Sequence, residues 1–74
     1  MAFRITRHAR RRMRTRHIPE ELVNQTYRDP DGREPAHDPE REVRWRVYDR
    51  QRIKIVVDVV DGSVVSVWIT QVNR

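Results

Sequence analysis

Apolar residues recur at helical spacing in the first third of the chain. Ala9 and Met13 form a thin apolar stripe at i, i+4, and Thr6 is placed to act as the N-cap of a helix that ends near residues 16–17. A second helix is predicted from Pro19, which suits a first helical turn and precedes two glutamates that complement the helix dipole. Its predicted inward face consists of Leu22, Val23, Thr26 and Tyr27. The sequence therefore predicts two helices that share one core.

From residue 42 onward apolar and polar residues alternate, which is typical of β-strands. Strands are predicted around Trp45 and from Ile53 to Val59, and Asp61-Gly62 is a strong two-residue turn into a third strand. Residues 29–39 carry three prolines and mixed charges, so we expect a loop there. The pattern predicts a single α+β domain over residues 1–74, in which two helices pack on a three-stranded antiparallel meander (ααβββ). Residues 3–5 are either a further short edge strand or an apolar lead-in.

The length of the loop after Tyr48 decides which side chains share a face of the sheet, because side chains alternate along a strand. A two-residue loop would divide the apolar positions between the two faces, whereas an odd loop with a bulge would gather them on one. We expect the odd loop, since it gives the helices one coherent surface to cover. Pairing across Asp61-Gly62 sets Ile55 against Trp68, and with the odd loop both Trp45 and Trp68 are expected to be buried beneath the helices.

The opposite face of the sheet would then be basic and aromatic. It would carry side chains able to contact a phosphate backbone and stack a base, namely Arg44, Arg46, Tyr48, Arg52 and Lys54. A solvated polar face is the plain structural interpretation of the same alternation. Apolar residues on this face would suit a homodimer contact, in particular Val65, Val67 and Ile69.

Positive charge is concentrated at the amino terminus. The chain has 16 Lys and Arg against 11 Asp and Glu, a formal net charge of +5. Residues 1–18 hold seven arginines and no acid, whereas residues 19–43 hold eight acids against three arginines. Such a density of guanidinium groups is costly by self-repulsion unless a polyanion shares the surface, so it favours nucleic acid as a partner. A solvated basic helix face is the alternative interpretation.

The sequence lacks the motifs that are typical of several kinds of functional site. The chain has no cysteine, no glycine-rich phosphate loop and no histidine spacing typical of a zinc site, so neither a metal nor a cofactor is expected. No apolar run approaches the length of a membrane span, and the absence of cysteine suits a reducing compartment. We therefore expect a cytoplasmic protein that does not contact a membrane.

Metal-free cleavage of RNA by its own 2′-hydroxyl remains compatible with these residues. It needs a group that transfers protons near neutral pH and cations that stabilise the crowded phosphorane. His8 is the candidate for proton transfer, with Arg12 and Arg46 as candidate catalytic cations. Candidate RNA contacts on the first helix are Arg7, Arg11 and Arg16. A histidine at the edge of the core, with no chemical role, is the structural alternative for His8.

The first helix also resembles the opening of a small prokaryotic family of unknown function. The string Ile5-Thr6-Arg7-His8-Ala9, continued by Arg12-Met13 and Arg16-His17-Ile18-Pro19, is similar to its "T-K-H-A-x-x-R-M-x-x-R-x-I" helix. The ending Val64-Val65-Ser66-Val67-Trp68-Ile69-Thr70 is similar to its closing strand. That family looks like a relative of the RelE/ParE and BrnT toxins, compact ribonuclease-like or ribosome-directed modules. The resemblance implies a RelE/BrnT-like fold, RNA on the meander, a cognate antitoxin, and His8, Arg12 and Arg16 as signature residues.

The sequence thus predicts a toxin-like protein that binds RNA, free or on the ribosome, cleaves it without a metal, and is neutralised by an antitoxin. Two alternatives remain open. The same arginines would serve a non-catalytic nucleic-acid-binding or ribosome-associated module, or an interaction domain for an acidic protein.

Overall fold

The computed structural model describes residues 3–71, which form two helices and one four-stranded antiparallel sheet. The sheet has the chain order β1-β2-β3-β4. Helix α1 packs on β4, and α2 packs on β3 and β2. No helix in this described range is long and apolar enough to cross a membrane. The elements are α1 (Arg7–Arg16), α2 (Glu20–Arg28), β1 (Gly32–Pro35), β2 (Arg41–Tyr48), β3 (Gln51–Asp58) and β4 (Val64–Gln71).

The ends of both helices follow local signals in the sequence. The N–H of Ala9 donates to Thr6 Oγ1 at 3.2 Å, so Thr6 is the N-cap of α1 as predicted. The helix ends at His17, which has the left-handed φ of 58° and thereby turns the chain toward α2. Pro19 is the N-cap of α2, whose first turn holds Glu20 and Glu21. The two predicted helices are confirmed.

The hydrophobic core lies between the helices and one face of the sheet. Ile55 of β3 is 0% exposed, and the strand's other inward residues are almost fully buried. Thr26 is also fully buried, and its hydroxyl donates to the carbonyl oxygen of Leu22 at 2.8 Å, which satisfies the polar atom. The apolar core consists of Ile5, Ala9, Met13, Ile18, Val23, Ile53, Ile55, Val57, Val64 and Val67.

The predicted odd loop between β2 and β3 is wrong. Tyr48 pairs with Gln51, so the loop is the two residues Asp49 and Arg50, both with positive φ (46° and 73°). Two consecutive left-handed residues form the kind of turn whose twist matches that of the flanking strands. In this register Trp45 pairs with Lys54 and faces away from the helices.

The hairpin between β3 and β4 also departs from the predicted two-residue turn. Residues 59–63 form its loop, which is closed by the N–H of Asp58 donating to the Ser63 carbonyl oxygen at 2.8 Å. A register irregularity at Val56/Val57 then shifts β4, so that Ile55 pairs with Val67 and Lys54 with Trp68. Both tryptophans therefore share a face, as predicted, but it is the face that no described helix covers. The expectation that they are buried beneath the helices is wrong.

The sheet has one more strand than the predicted meander. Strand β1 lies within the segment expected to be a loop and pairs with β2, Gly32 opposite Trp45. A Cβ at Gly32 would come within 2.3 Å of the Trp45 ring, so only glycine permits this close approach. Of the two alternatives for residues 3–5, the structure shows an apolar lead-in to α1 that makes a single parallel bridge, Ile5 to Val64.

Candidate nucleic-acid interface

The solvent-facing part of α1 carries arginines that have no ion-pair partner among the described residues. Five of them have no carboxylate within 4.0 Å in the described part of the chain; we call them the α1 guanidinium surface, Arg7, Arg11, Arg12, Arg14 and Arg16. Four are exposed, and Arg12 is half-buried. Within residues 3–71, Arg10 is the one arginine of this helix that forms an ion pair, with Glu20 at 3.2 Å. The first turn of α1 carries no acid, so an external anion there would also interact favourably with the helix dipole.

Among the described residues, Glu20 is the one acid of residues 19–43 that pairs with α1, and several of the others are engaged elsewhere. Asp29 pairs with Arg46 at 3.1 Å, and Glu42 pairs with Arg44 at 2.8 Å. Asp31 accepts a hydrogen bond from the backbone N–H of Val47 at 2.8 Å. These carboxylates thus hold the sheet and its connections together, and apart from the Arg10–Glu20 pair the arginines of α1 have no ion-pair partner among residues 3–71.

His8 and Arg12 lie one helical turn apart on α1. The imidazole of His8 is exposed. Arg12 is half-buried, and its Nε is shielded from solvent without a hydrogen-bond partner among the described residues. Residues four apart on a helix share a face, so a phosphate contacting Arg12 would lie near a solvent-accessible histidine.

A shallow depression of about 510 Å³ lies where α1 turns into α2. Its floor includes Met13 and Ile18, and Arg14 and His17 stand at its rim. Neither Arg14 nor His17 has an ion pair in the described range. The depression therefore adjoins the α1 guanidinium surface and has room for a ring, but the Arg10–Glu20 ion pair also lines it and puts a carboxylate within it.

Arg46, the third candidate catalytic residue, is not brought to α1. It lies on the helix-facing side of β2, where its Nη1 donates to the carbonyl oxygen and to Oδ2 of Asp29, just past the end of α2. Because α1 packs on β4, two strands away, roughly 10 Å of sheet separates the two. The structure therefore does not assemble His8, Arg12 and Arg46 into one site, and their catalytic roles remain predictions.

Arg44 and Tyr48 also face the helices. Arg44 donates from Nη1 to the carbonyl oxygen of Tyr27 at 2.7 Å, and the Tyr48 hydroxyl donates to the Leu22 carbonyl oxygen at 3.3 Å. Both contacts tie α2 to β2. The predicted grouping of Arg44, Arg46 and Tyr48 with Arg52 and Lys54 on one face is therefore wrong, because the two-residue turn reverses the faces of β2.

The face of the sheet away from the helices, which we call the open sheet face, carries a different set of residues. Its middle row is Trp45, Lys54 and Trp68 on three adjacent strands. The guanidinium carbon of Arg52 lies 4.4 Å from the Trp45 ring centroid. Neither Arg52 nor Lys54 has an ion pair in the described residues. Sequence reasoning placed these cations correctly on the outer face but assigned both tryptophans to the core.

The predicted homodimer contact does not lie on one surface. Val67 is 0% exposed and belongs to the core, against which Ile69 also packs. Only Val65, beside the bulge, is left out of that packing, and it is half-buried. The expectation that Val65, Val67 and Ile69 together form an exposed patch is wrong, because the bulge turns Val67 inward.

Within residues 3–71 no group of three or more His, Cys, Asp or Glu side chains is arranged to hold a metal ion. A family model described as Domain of unknown function (DUF4258) matches residues 5–72, nearly the whole chain. Comparison with curated proteins and with solved structures gave no match.

Proposed function

We propose that this chain, which belongs to the DUF4258 family, binds RNA through the α1 guanidinium surface. The observation that carries the proposal is the set of five arginines without a carboxylate partner in the described residues. Guanidinium groups pair bidentately with phosphate oxygens, and binding a polyanion would relieve their mutual repulsion and release condensed counterions.

The open sheet face supports a single strand as the ligand. Trp45 and Trp68 are two strands apart, which is roughly 10 Å. Stacked bases repeat at about 3.4 Å along a strand, so bases resting near the two indoles would belong to an extended, unstacked chain. Lys54 lies between them and would contact phosphate. Since α1 packs on β4 and Trp68 lies on the other face of β4, an RNA strand passing this edge would reach both surfaces.

Cleavage of the bound RNA is a second candidate activity. It is favoured by the exposed His8 on the same helix face as Arg12, an arrangement that pairs a proton-transfer group with a phosphate-binding cation. A relation to the RelE/ParE and BrnT toxins, and with it a neutralising antitoxin and a cytoplasmic, ribosome-directed role, belongs to this proposal. The order of two helices followed by antiparallel strands supports that relation.

The test compares two double variants of equal charge. Arg11→Gln/Arg14→Gln removes two unpaired guanidinium groups, whereas Arg33→Gln/Arg41→Gln removes two exposed ones that pair with Glu42 and Asp38. Each lowers the net charge of +5 by two. Binding of a fluorescently labelled single-stranded RNA is measured by anisotropy over a series of salt concentrations.

The α1 variant is expected to bind at least about tenfold more weakly, and its salt slope should fall by about 1.4, since each lost phosphate contact on a single strand removes about 0.7. The control variant should retain most of the wild-type slope. Equal losses in both variants would mean that net charge alone attracts the RNA, and a wild-type slope near zero would overturn the proposal.

A further inference from the structure

The two edges of the sheet differ in how well they are protected. Strand β1 has four residues, GREP, two of them charged and one a proline. Strand β4 has eight residues, VVSVWITQ, with no charge and no proline. Edge strands are normally kept from pairing by shortness, charges or proline. By these criteria β1 is protected against pairing with a further strand, whereas β4 is not; we call the outer edge of β4 the open edge.

Among the described residues, only the beginning of β4 has a partner on its outer side. The N–H of Val64 donates to the Arg4 carbonyl oxygen at 2.8 Å, and the N–H of Thr6 donates to the Val64 carbonyl oxygen at 3.0 Å. The hydroxyl of Thr6 donates to the Val65 carbonyl oxygen at 3.4 Å. For residues 66–71, no backbone hydrogen bond other than those to β3 occurs within the described range.

The charge beside this edge restricts what can pair with it. Helix α1 packs on β4, and its Arg10 and Arg14 lie toward α2, so Arg12 and Arg16, on the other side of the buried Ala9–Met13 stripe, are the arginines beside the open edge. Pairing of two copies through β4 would bring two arginine-rich helices close together, which is electrostatically unfavourable. A strand with carboxylates on its helix-facing side would instead neutralise these arginines.

We propose that the outer edge of β4 binds an extended acidic segment of a partner protein as a fifth strand. Backbone hydrogen bonds to residues 66–71 supply the affinity, as in other cases of strand addition. Because side chains alternate across a strand, one set of residues on the segment faces α1 and is acidic. The other set lies beside Trp68 on the open sheet face and is apolar. This inference concerns a protein partner and does not depend on RNA binding.

The probe is a synthetic peptide of eight alternating glutamate and valine residues, equal in length to β4. Binding is followed on the isotope-labelled full chain by amide hydrogen exchange, with the β1 amides as internal control. The peptide should slow exchange in residues 66–71 and leave β1 unchanged. A peptide with lysine in place of glutamate should bind at least about tenfold more weakly, because it meets the α1 guanidinium surface with like charge.

Two N-methylated analogues test the backbone pairing. In a strand, the N–H groups that point to one side belong to every second residue. One analogue is N-methylated at all its valines and the other at all its glutamates. Only one of the two therefore loses the N–H groups that point toward β4, and only that analogue should lose binding. Equal binding by both would show that charge alone holds the peptide, and would overturn the proposal. Absence of protection in β4, or protection that grows with protein concentration without peptide, would overturn it as well.

Discussion

The guanidinium carbon of Arg44 lies 4.6 Å from the centroid of the Tyr27 ring, and Arg44 also donates a hydrogen bond to the Tyr27 carbonyl oxygen at 2.7 Å. The other face of the ring stacks on Phe3, with centroids 3.8 Å apart, and the Tyr27 hydroxyl donates to the Gly62 carbonyl oxygen at 2.7 Å. This one tyrosine thus connects α2 with β2, the amino-terminal segment and the β3–β4 loop. Arg44 is therefore part of the scaffold.

We predict that Arg44→Gln lowers the free energy of unfolding by about 2 kcal/mol, because charge-assisted hydrogen bonds of a half-buried group are lost. The matched control is Arg33→Gln, which removes the exposed partner of the same Glu42 and should cost less than about 0.5 kcal/mol. Both values come from urea denaturation. If Arg44→Gln is as stable as the wild type but binds RNA more weakly, Arg44 contacts RNA and is not part of the scaffold.

Truncating the inner face of the sheet should cost more than truncating its outer face. Ile55 is fully buried under the helices, so Ile55→Ala should lower the free energy of unfolding by about 3 kcal/mol through lost burial and the remaining cavity. Trp68 is half-buried on the open sheet face, where solvent can enter the vacated space. We expect Trp68→Ala to cost less despite its larger side chain. Urea midpoints in the reverse order would place Trp68 in the core after all.

Stability at acid pH should depend on Asp61. Hydrogen bonds from Ser63, first its side chain and then its backbone, lower the pKa of Asp61 from its ordinary value of 3.8, and the positive charge of Arg4 adds to this effect. A carboxyl group whose pKa is lower in the folded state stabilises the fold above its unfolded pKa. That stabilisation is lost as the pH falls through the lowered value.

Asp61→Asn should therefore be less stable than wild type at neutral pH, and the difference should vanish as the pH falls through the lowered pKa of Asp61, where the wild-type carboxyl group becomes protonated as well. Unfolding free energies measured across this range provide the check. The control is Glu34→Gln, which removes an exposed carboxylate without an ion pair in the described residues. It should leave the dependence of the unfolding free energy on acid pH as it is in the wild type. Parallel pH curves for wild type and Asp61→Asn would contradict the assignment.

If the protein cleaves RNA, His8→Ala should abolish cleavage while leaving RNA affinity nearly unchanged, since a neutral imidazole contributes little to phosphate binding. The control is His37→Ala, because His37 is an exposed histidine between β1 and β2, and this variant should still cleave RNA. The predicted reaction needs no divalent metal and should continue in the presence of a chelator. RNA that stays intact with every variant, wild type included, would leave binding as the only activity.

The sequence alone determined the helices and the place of the charge. Thr6 caps the amino-terminal end of the first helix, and Pro19 with two glutamates begins the second. These signals act within a few residues, through a hydrogen bond or the helix dipole, so they are readable without the fold. The excess of arginine before residue 18 is likewise a property of composition. Which of these arginines lack a carboxylate partner depends on the tertiary structure.

Only the tertiary structure decided which residues face the helices. Side chains alternate with a period of two, so a shift of one residue at Asp49-Arg50 or at the Val56/Val57 bulge exchanges the two faces of a strand. Such a shift moved both tryptophans outward. Strand β1 was equally hidden, because GREP has no alternating pattern and its pairing depends on a neighbour distant in sequence. Ion pairs such as Arg46–Asp29 join residues far apart in the chain, so composition alone does not show which arginines are left without a carboxylate partner.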